Sequence, residues 1–310
     1  MVKHHPDKCH GYRDHQRLRR VGRAAGMKAA PWLFVLLWSG GFTAVAIALP
    51  YTEPLTLQVL RYAAVVLLLL PPVLLLRPAW PDARGLRHLA RMGLVIQFSY
   101  FACTNLALSW GISPGGLALI VALQPILVAL LSARVTGDVV PRAAWAGLLI
   151  AFCGVALVVV SGSAVAARDW PGLVFAVISL GAMTTGALLE RRDGAACHPL
   201  VSNLVLYAVG LAATLPVAWA LEEMRVVWSA DLAWGLGYLV LVNSLISMTL
   251  LLAMLRAGEA ARVSALFFLV PPLAALLGWV VLGREVAPLA WLGTAIVALG
   301  VILARRGAAQ

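Results

Sequence analysis

The chain has 310 residues, of which 62% are hydrophobic and 12% charged, against roughly 45–50% and 25% in soluble domains. This excludes an ordinary soluble enzyme, a disordered chain and a secreted disulfide scaffold, and leaves a polytopic helical membrane protein. The net charge of +11 would suit nucleic acid, but eight of the basic residues lie before Pro31 and most others beside apolar runs. That is how a membrane protein marks its cytoplasmic face, so the expected partners are the lipid bilayer and a small molecule, with no nucleic acid.

Residues 1–30 read as a basic cytoplasmic tail holding eight Lys and Arg residues. The run after it is too long for a cleavable signal peptide, and Met27 is a second candidate start. His4, His5, Cys9, His10 and His15 crowd this tail without ligand spacing, so no metal site is expected. From Pro31 onward, ten apolar stretches are each long enough to span a bilayer. They cover 32–50, 55–76, 90–110, 114–133, 142–162, 170–189, 199–221, 232–255, 262–282 and 287–304. Backbone groups in lipid must pair internally, and barrel-type alternation is absent, so each stretch is predicted to be a helix. With the N-terminus inside, twenty of the 24 Lys and Arg residues fall in cytoplasmic segments, while Arg168, Arg225 and Arg284 fall outside. The fold class predicted is therefore all-α integral membrane, with both termini cytoplasmic.

The two halves of the sequence resemble each other. A shift of 147 places Gly111, Ala118, Leu119, Pro125, Asp138 and Pro141 on Gly258, Ala265, Leu266, Pro272, Glu285 and Pro288. A shift of 146 places Trp145, Gly147 and Gly154 on Trp291, Gly293 and Gly300, and a shift of 145 places Pro54, Tyr62 and Pro71 on Pro199, Tyr207 and Pro216. Five helices per half is an odd number, so the second half enters from the opposite side. The expectation is two inverted five-helix repeats, 31–162 and 163–306, with 307–310 as a C-terminal tail. Many secondary transporters use this architecture for alternating access, with a site at the repeat interface.

Arg61 is the one charge clearly within a span, where a central Arg costs about 2.5–3.5 kcal/mol on insertion scales. It reads either as an anion partner for a substrate carboxylate or as a side chain snorkelling to headgroups, and the sequence leaves both open. Polar side chains cluster on the third span (Gln97, Tyr100, Thr104, Asn105, with Phe101 among them) and the eighth (Asn243, Ser244, Ser247), with Gln124 before Pro125. These are cavity-lining candidates, set against plain interhelical hydrogen bonding. Trp38 and Phe42 share a helical face deep in the first span, and Tyr62 and Phe267 add aromatic surface. Pro125 and Pro272 are candidates for kinks that gate, or for packing alone. Gly147, Gly154, Gly293 and Gly300 are expected to permit close helix contact. No Asp or Glu lies well inside a span: Glu53, Glu190 and Glu259 sit at edges, so a buried carboxylate relay is not expected. No P-loop occurs.

Several of these features together resemble the EamA-like branch of the drug/metabolite transporter superfamily. They are Trp38-Ser39-Gly40-Gly41-Phe42, Arg61-Tyr62 after Pro54, and in each half a proline helix, an acid and a Gly-rich helix. The second half reads Gly283-Arg284-Glu285 with Gly293 and Gly300 following; the first has Asp138 where the family usually has Glu, and one more residue before Gly147. The resemblance covers about 31–306 and implies a ten-helix carrier for small metabolites or drugs, often an exporter. With Arg61 as a carboxylate partner, amino acids or related compounds are the first expected substrates, moved outward across the inner membrane. No catalytic residue, cofactor or metal is assigned. The alternative classes are a membrane enzyme acting on lipids, for which His88 and His198 stand isolated, and a non-transporting sensor.

Overall fold

A computed structural model describes residues 30–124, 127–128, 131, 142–160, 170–193, 197–251, 270–283 and 287–308. Proline and short polar caps set where the helices begin. Pro54, Pro114, Pro199 and Pro288 each open a helix, where a missing N–H needs no partner. The Asp82, Ser113 and Ser229 side chains accept from the backbone N–H groups of Gly85, Gly116 and Leu232 at 2.8, 3.1 and 3.1 Å, as N-caps do.

The described helices, in chain order, are α1 (Ala30–Ala48), α2 (Pro54–Leu76), α3 (Ala83–Ser109), α4 (Pro114–Val121), α5 (Arg142–Val160), α6 (Trp170–Asp193), α7 (Pro199–Leu221), α8 (Ala230–Leu251), α9 (Val270–Leu282) and α10 (Pro288–Ala308). Six of these stretches are long and apolar enough to cross a membrane. Among the described residues there is no strand, only one isolated antiparallel bridge, Thr52 to Val226. This is an all-α membrane fold. The third helix starts seven residues before the predicted span, because its first turns are amphipathic rather than apolar and Asp82 caps them. The fourth is described only to Val121, and the continuation to 133 lies largely outside the described residues.

The helix contacts come in exchanged pairs. α1 packs on α8 and on α9, while α6 packs on α3 and on α4; α2 meets α7, α4 meets α9, and α5 meets α10. Gly147 lies against the backbone of Gly300 and Ala304, and Gly154 against Gly293 and Val297, so α5 and α10 run antiparallel. The Gly147–Gly300 contact becomes Gly293–Gly154 when each residue is replaced by its repeat counterpart, and both contacts exist. Tyr62 and its counterpart Tyr207 meet edge to face at 5.3 Å. Counterpart helices that touch antiparallel at matching positions are what an inverted repeat about a two-fold axis produces.

Burial follows the same axis. The first turns of α2 and α7 bury nearly every side chain, from Leu55 to Tyr62 and from Val201 to Tyr207, while their far halves expose Leu74, Leu75 and Leu76 or Leu215, Trp219 and Leu221. The polar centre of the molecule is therefore built from the start of α2 and the middles of α3 and α8.

Candidate functional site

The middle of α3, Gly93–Tyr100, and the middle of α8, Tyr238–Ser247, widen from α to π geometry. The hydroxyls of Ser99, Ser244 and Ser247 donate to the carbonyls of Leu94, Leu239 and Val242, each five residues back, at 3.1, 2.8 and 3.0 Å. Wide turns of this kind are rare and concentrate at functional sites. Here they turn Gln97, Tyr100, Asn243 and Ser244 inward from counterpart helices, and all four are buried.

Between them stands Arg61, 1% exposed. Its Nε donates to Ser244 Oγ and its Nη2 to Asn243 Oδ1, both at 2.8 Å. Its Cζ lies 4.5 Å from the centre of the Phe101 ring, a cation–π distance. Neither hydrogen bond uses Nη1, and among the described residues Arg61 has no carboxylate partner. The snorkelling alternative does not describe this side chain: it points into the protein and ties α2, in one half, to α8, in the other.

A cavity of about 20 Å³ adjoins it, lined by Trp38, Gly41, Phe42, Val45, Arg61, Tyr100, Phe101, Thr104, Asn105, Leu239 and Asn243. That is room for about one water. Eight of the residues singled out from sequence therefore share one cavity: Trp38, Phe42, Arg61, Tyr100, Phe101, Thr104, Asn105 and Asn243. Gly41 is there because a side chain would collide with the Asn243 amide.

Tyr62 and Gln97 form a layer behind the cavity. Asn105 Nδ2 donates to Gln58 Oε1 at 3.0 Å, Gln58 Nε2 donates to the Tyr62 hydroxyl, and that hydroxyl donates to the Gln97 carbonyl. The Gln97 side-chain amide and Asn105 Oδ1 are buried without a hydrogen-bond partner among the described residues, an arrangement that costs about 1–3 kcal/mol per group. Ser247 is buried and bonds its own helix, Gln124 is half-buried three residues beyond α4 and off the cavity, and Phe267 and Pro125 lie outside the described residues. Pro272 is the third residue of the described α9. Gln58 was missed, although a polar residue three positions before Arg61 on an apolar helix is itself a signal.

Two further pairs brace the helices, one away from this centre and one beside it. His88, expected to stand alone, is buried with its ring Nε2 2.8 Å from the Glu190 carboxylate. Thr104 Oγ1 and Ser179 Oγ are 3.0 Å apart, holding α3 to α6 beside the cavity.

The EamA-like transporter family model matches residues 29–160 and again 170–306. The chain belongs to this family. It is similar to the uncharacterized inner membrane transporter YedA of Escherichia coli (strain K12), at 23% identity over 272 residues covering 88% of each chain. It is also similar to a probable terminal-alkyne amino-acid exporter of Streptantibioticus cattleyicolor, at 28% identity over 299 residues, covering 90% of this chain and 94% of that one. A solved crystal structure, 20% identical, superposes with a TM-score of 0.67 over 91% of this chain and 98% of its own, which shows a shared fold. The protein is thus a multi-pass inner membrane transporter with a small-molecule substrate, and the buried Arg61 cavity is its candidate substrate site.

Proposed function

We propose that this transporter moves a small carboxylated metabolite, an amino acid or a related compound, outward across the inner membrane. It does so by alternating access between its halves, 31–162 and 163–306, with both termini in the cytoplasm. The observation that carries the reading is Arg61: a guanidinium in the protein centre whose hydrogen-bond partners among the described residues are neutral. A buried cation without a counter-charge is costly, and a substrate carboxylate is the group that would relieve it, by the paired N–H···O geometry Arg offers. Trp38, Phe42, Tyr100 and Phe101 would cover an apolar side chain, and Asn105 would meet a polar group. Support for the substrate class and the direction comes from the relative named as an amino-acid exporter.

A cavity of about 20 Å³ is far below the roughly 300–1,000 Å³ of a ligand pocket. The conformation described leaves too little room for a substrate at the site, and binding requires the two halves to part. The Arg61 bonds to Ser244 and Asn243 span that division, so a carboxylate that replaces Asn243 on the guanidinium would loosen the halves as it binds.

The test is flux in proteoliposomes challenged with labelled amino acids, amines, sugars and nucleosides, with and without a pH gradient. Saturable, protein-dependent movement of an amino acid, lost on Arg61→Ala, is the expected result. Flux confined to amines, sugars or nucleosides would overturn the substrate class. Orientation is tested separately by a C-terminal reporter, which should be active in the cytoplasm.

A further inference from the structure

We propose that the basic face at the start of α3, together with Arg77, binds the headgroups of anionic phospholipids. The first turns of α3, Ala83–Met92, separate cleanly into two faces. Gly85, His88 and Leu89 are buried, with Leu89 packed on Val201 and Val205 of α7 and His88 held by Glu190 of α6. Arg84, Arg87 and Arg91, spaced three and four apart on the opposite face, are all exposed. Residues at this spacing stand above one another along a helix, so the three guanidiniums form a ladder fixed in place by the packed face behind it.

The position of the ladder matches a lipid surface. α3 runs 27 residues without a break, about 40 Å at 1.5 Å per residue, against a hydrocarbon core of about 30 Å. Its first turns therefore extend beyond the core, at headgroup level. α2 ends beside them with Leu74, Leu75 and Leu76 exposed, then Arg77, then Trp80 at 57% exposure. An apolar belt, a cation and an indole in that order are what a membrane interface selects. Arg77 also occupies a left-handed cap, φ 43°, donating its N–H to Val73. Glycine is the usual residue there, so the chain keeps a cation where the backbone would favour none.

Charge complementarity decides the occupant. None of the four arginines forms an ion pair among the described residues. The nearby acids are engaged, Asp82 as the cap of α3 and Glu190 with His88. At the other end of the molecule the described loops present Glu53, Glu222, Glu223 and Asp231 against a single cation, Arg225, so among the described residues the basic cluster sits at one end only. Each basic residue near an anionic surface contributes about a fivefold gain in binding. The site is independent of the Arg61 cavity and of what the transporter carries.

The experiment titrates the detergent-solubilised protein with phosphatidylglycerol and with phosphatidylcholine and counts bound lipids by native mass spectrometry. The wild type should retain phosphatidylglycerol preferentially. R84Q/R87Q/R91Q should weaken that retention about a hundredfold, R84K/R87K/R91K should restore it, and R192Q should leave it unchanged, since Arg192 lies beside Asp193. Millimolar inorganic phosphate should not displace the lipid. Equal retention of the two lipids by the wild type, or an undiminished preference in a folded R84Q/R87Q/R91Q protein, would overturn the proposal, and so would full displacement by free phosphate.

Discussion

Arg61 shows what a single residue contributes and how it can be tested. Its guanidinium makes two directed bonds at 2.8 Å while stacking on Phe101, a combination the compact ammonium of Lys cannot reproduce. Arg61→Lys should therefore weaken substrate binding by at least about tenfold, since hydrogen bonds to a charged group contribute about 1.5–3 kcal/mol each, while leaving the protein folded in detergent. Substrate-dependent thermal stabilisation and counterflow measure the two effects, and unchanged affinity would remove the anion-partner role. At this scale the sequence was partly legible. A lone charge in an apolar run announces itself, and the polar face of the eighth span pointed to Asn243 and Ser244. Val45 and Leu239 line the same cavity but look like any other membrane-helix residue. Phe101 stood out with the polar face of the third span, but spacing does not reveal that its ring lies beneath the guanidinium.

Helix ends and seams carry the next scale. The Glu222 carboxylate, at the end of α7, accepts from the N–H groups of Leu55 and Thr56 and from the Thr56 hydroxyl at 2.7–2.8 Å. It caps α2 from the other half of the chain, where a helix's own N-cap would normally serve, because Glu53 makes no side-chain cap and Pro54 opens the helix. Glu222→Ala should cost about 1–2 kcal/mol of stability, read as a lowered Tm in detergent, whereas Glu223→Ala, whose side chain is exposed, should change little. The α5–α10 seam is more demanding. Any side chain at Gly147 meets the backbone of Ala304 and Gly300, and backbone cannot rotate away. Gly147→Leu should therefore force the two helices apart and lower Tm more than Glu222→Ala does; an equal or smaller loss would mean the seam is looser than drawn. Glycines at helical spacing made this seam readable from sequence. The early start of α3 was not readable, since an amphipathic first turn lacks the apolar signal of a span. The π segments also escaped, because nothing in Gly93–Tyr100 or Tyr238–Ser247 distinguishes i→i+5 from i→i+4 bonding by composition.

For the whole molecule, the internal repeat was legible in sequence because Gly, Pro and Trp recur in order; the joining of the two halves at their centre through Arg61, Asn243 and Ser244 was not. Away from that centre, the two halves are fastened at the end where α1 passes into α2. Thr52 bridges Val226, the Val227 N–H donates to the Tyr51 carbonyl at 2.8 Å, the Tyr51 hydroxyl donates to Asp231 at 2.6 Å, and the Glu53 carboxylate accepts from the N–H groups of Glu223 and Arg225 at 3.2 and 3.0 Å. Alternating access requires this end to open in one half of the cycle. Paired residues on an antiparallel bridge lie about 4.5–5.5 Å apart at Cα, within the span of a disulfide. Oxidised T52C/V226C should therefore hold the end shut and abolish flux, and reduction should return it, while each single cysteine variant transports normally in both conditions. Complete cross-linking with undiminished flux would mean that substrate never passes this end, and the rocking of two inverted halves would fail as the transport mechanism even if Arg61 proved to bind the substrate.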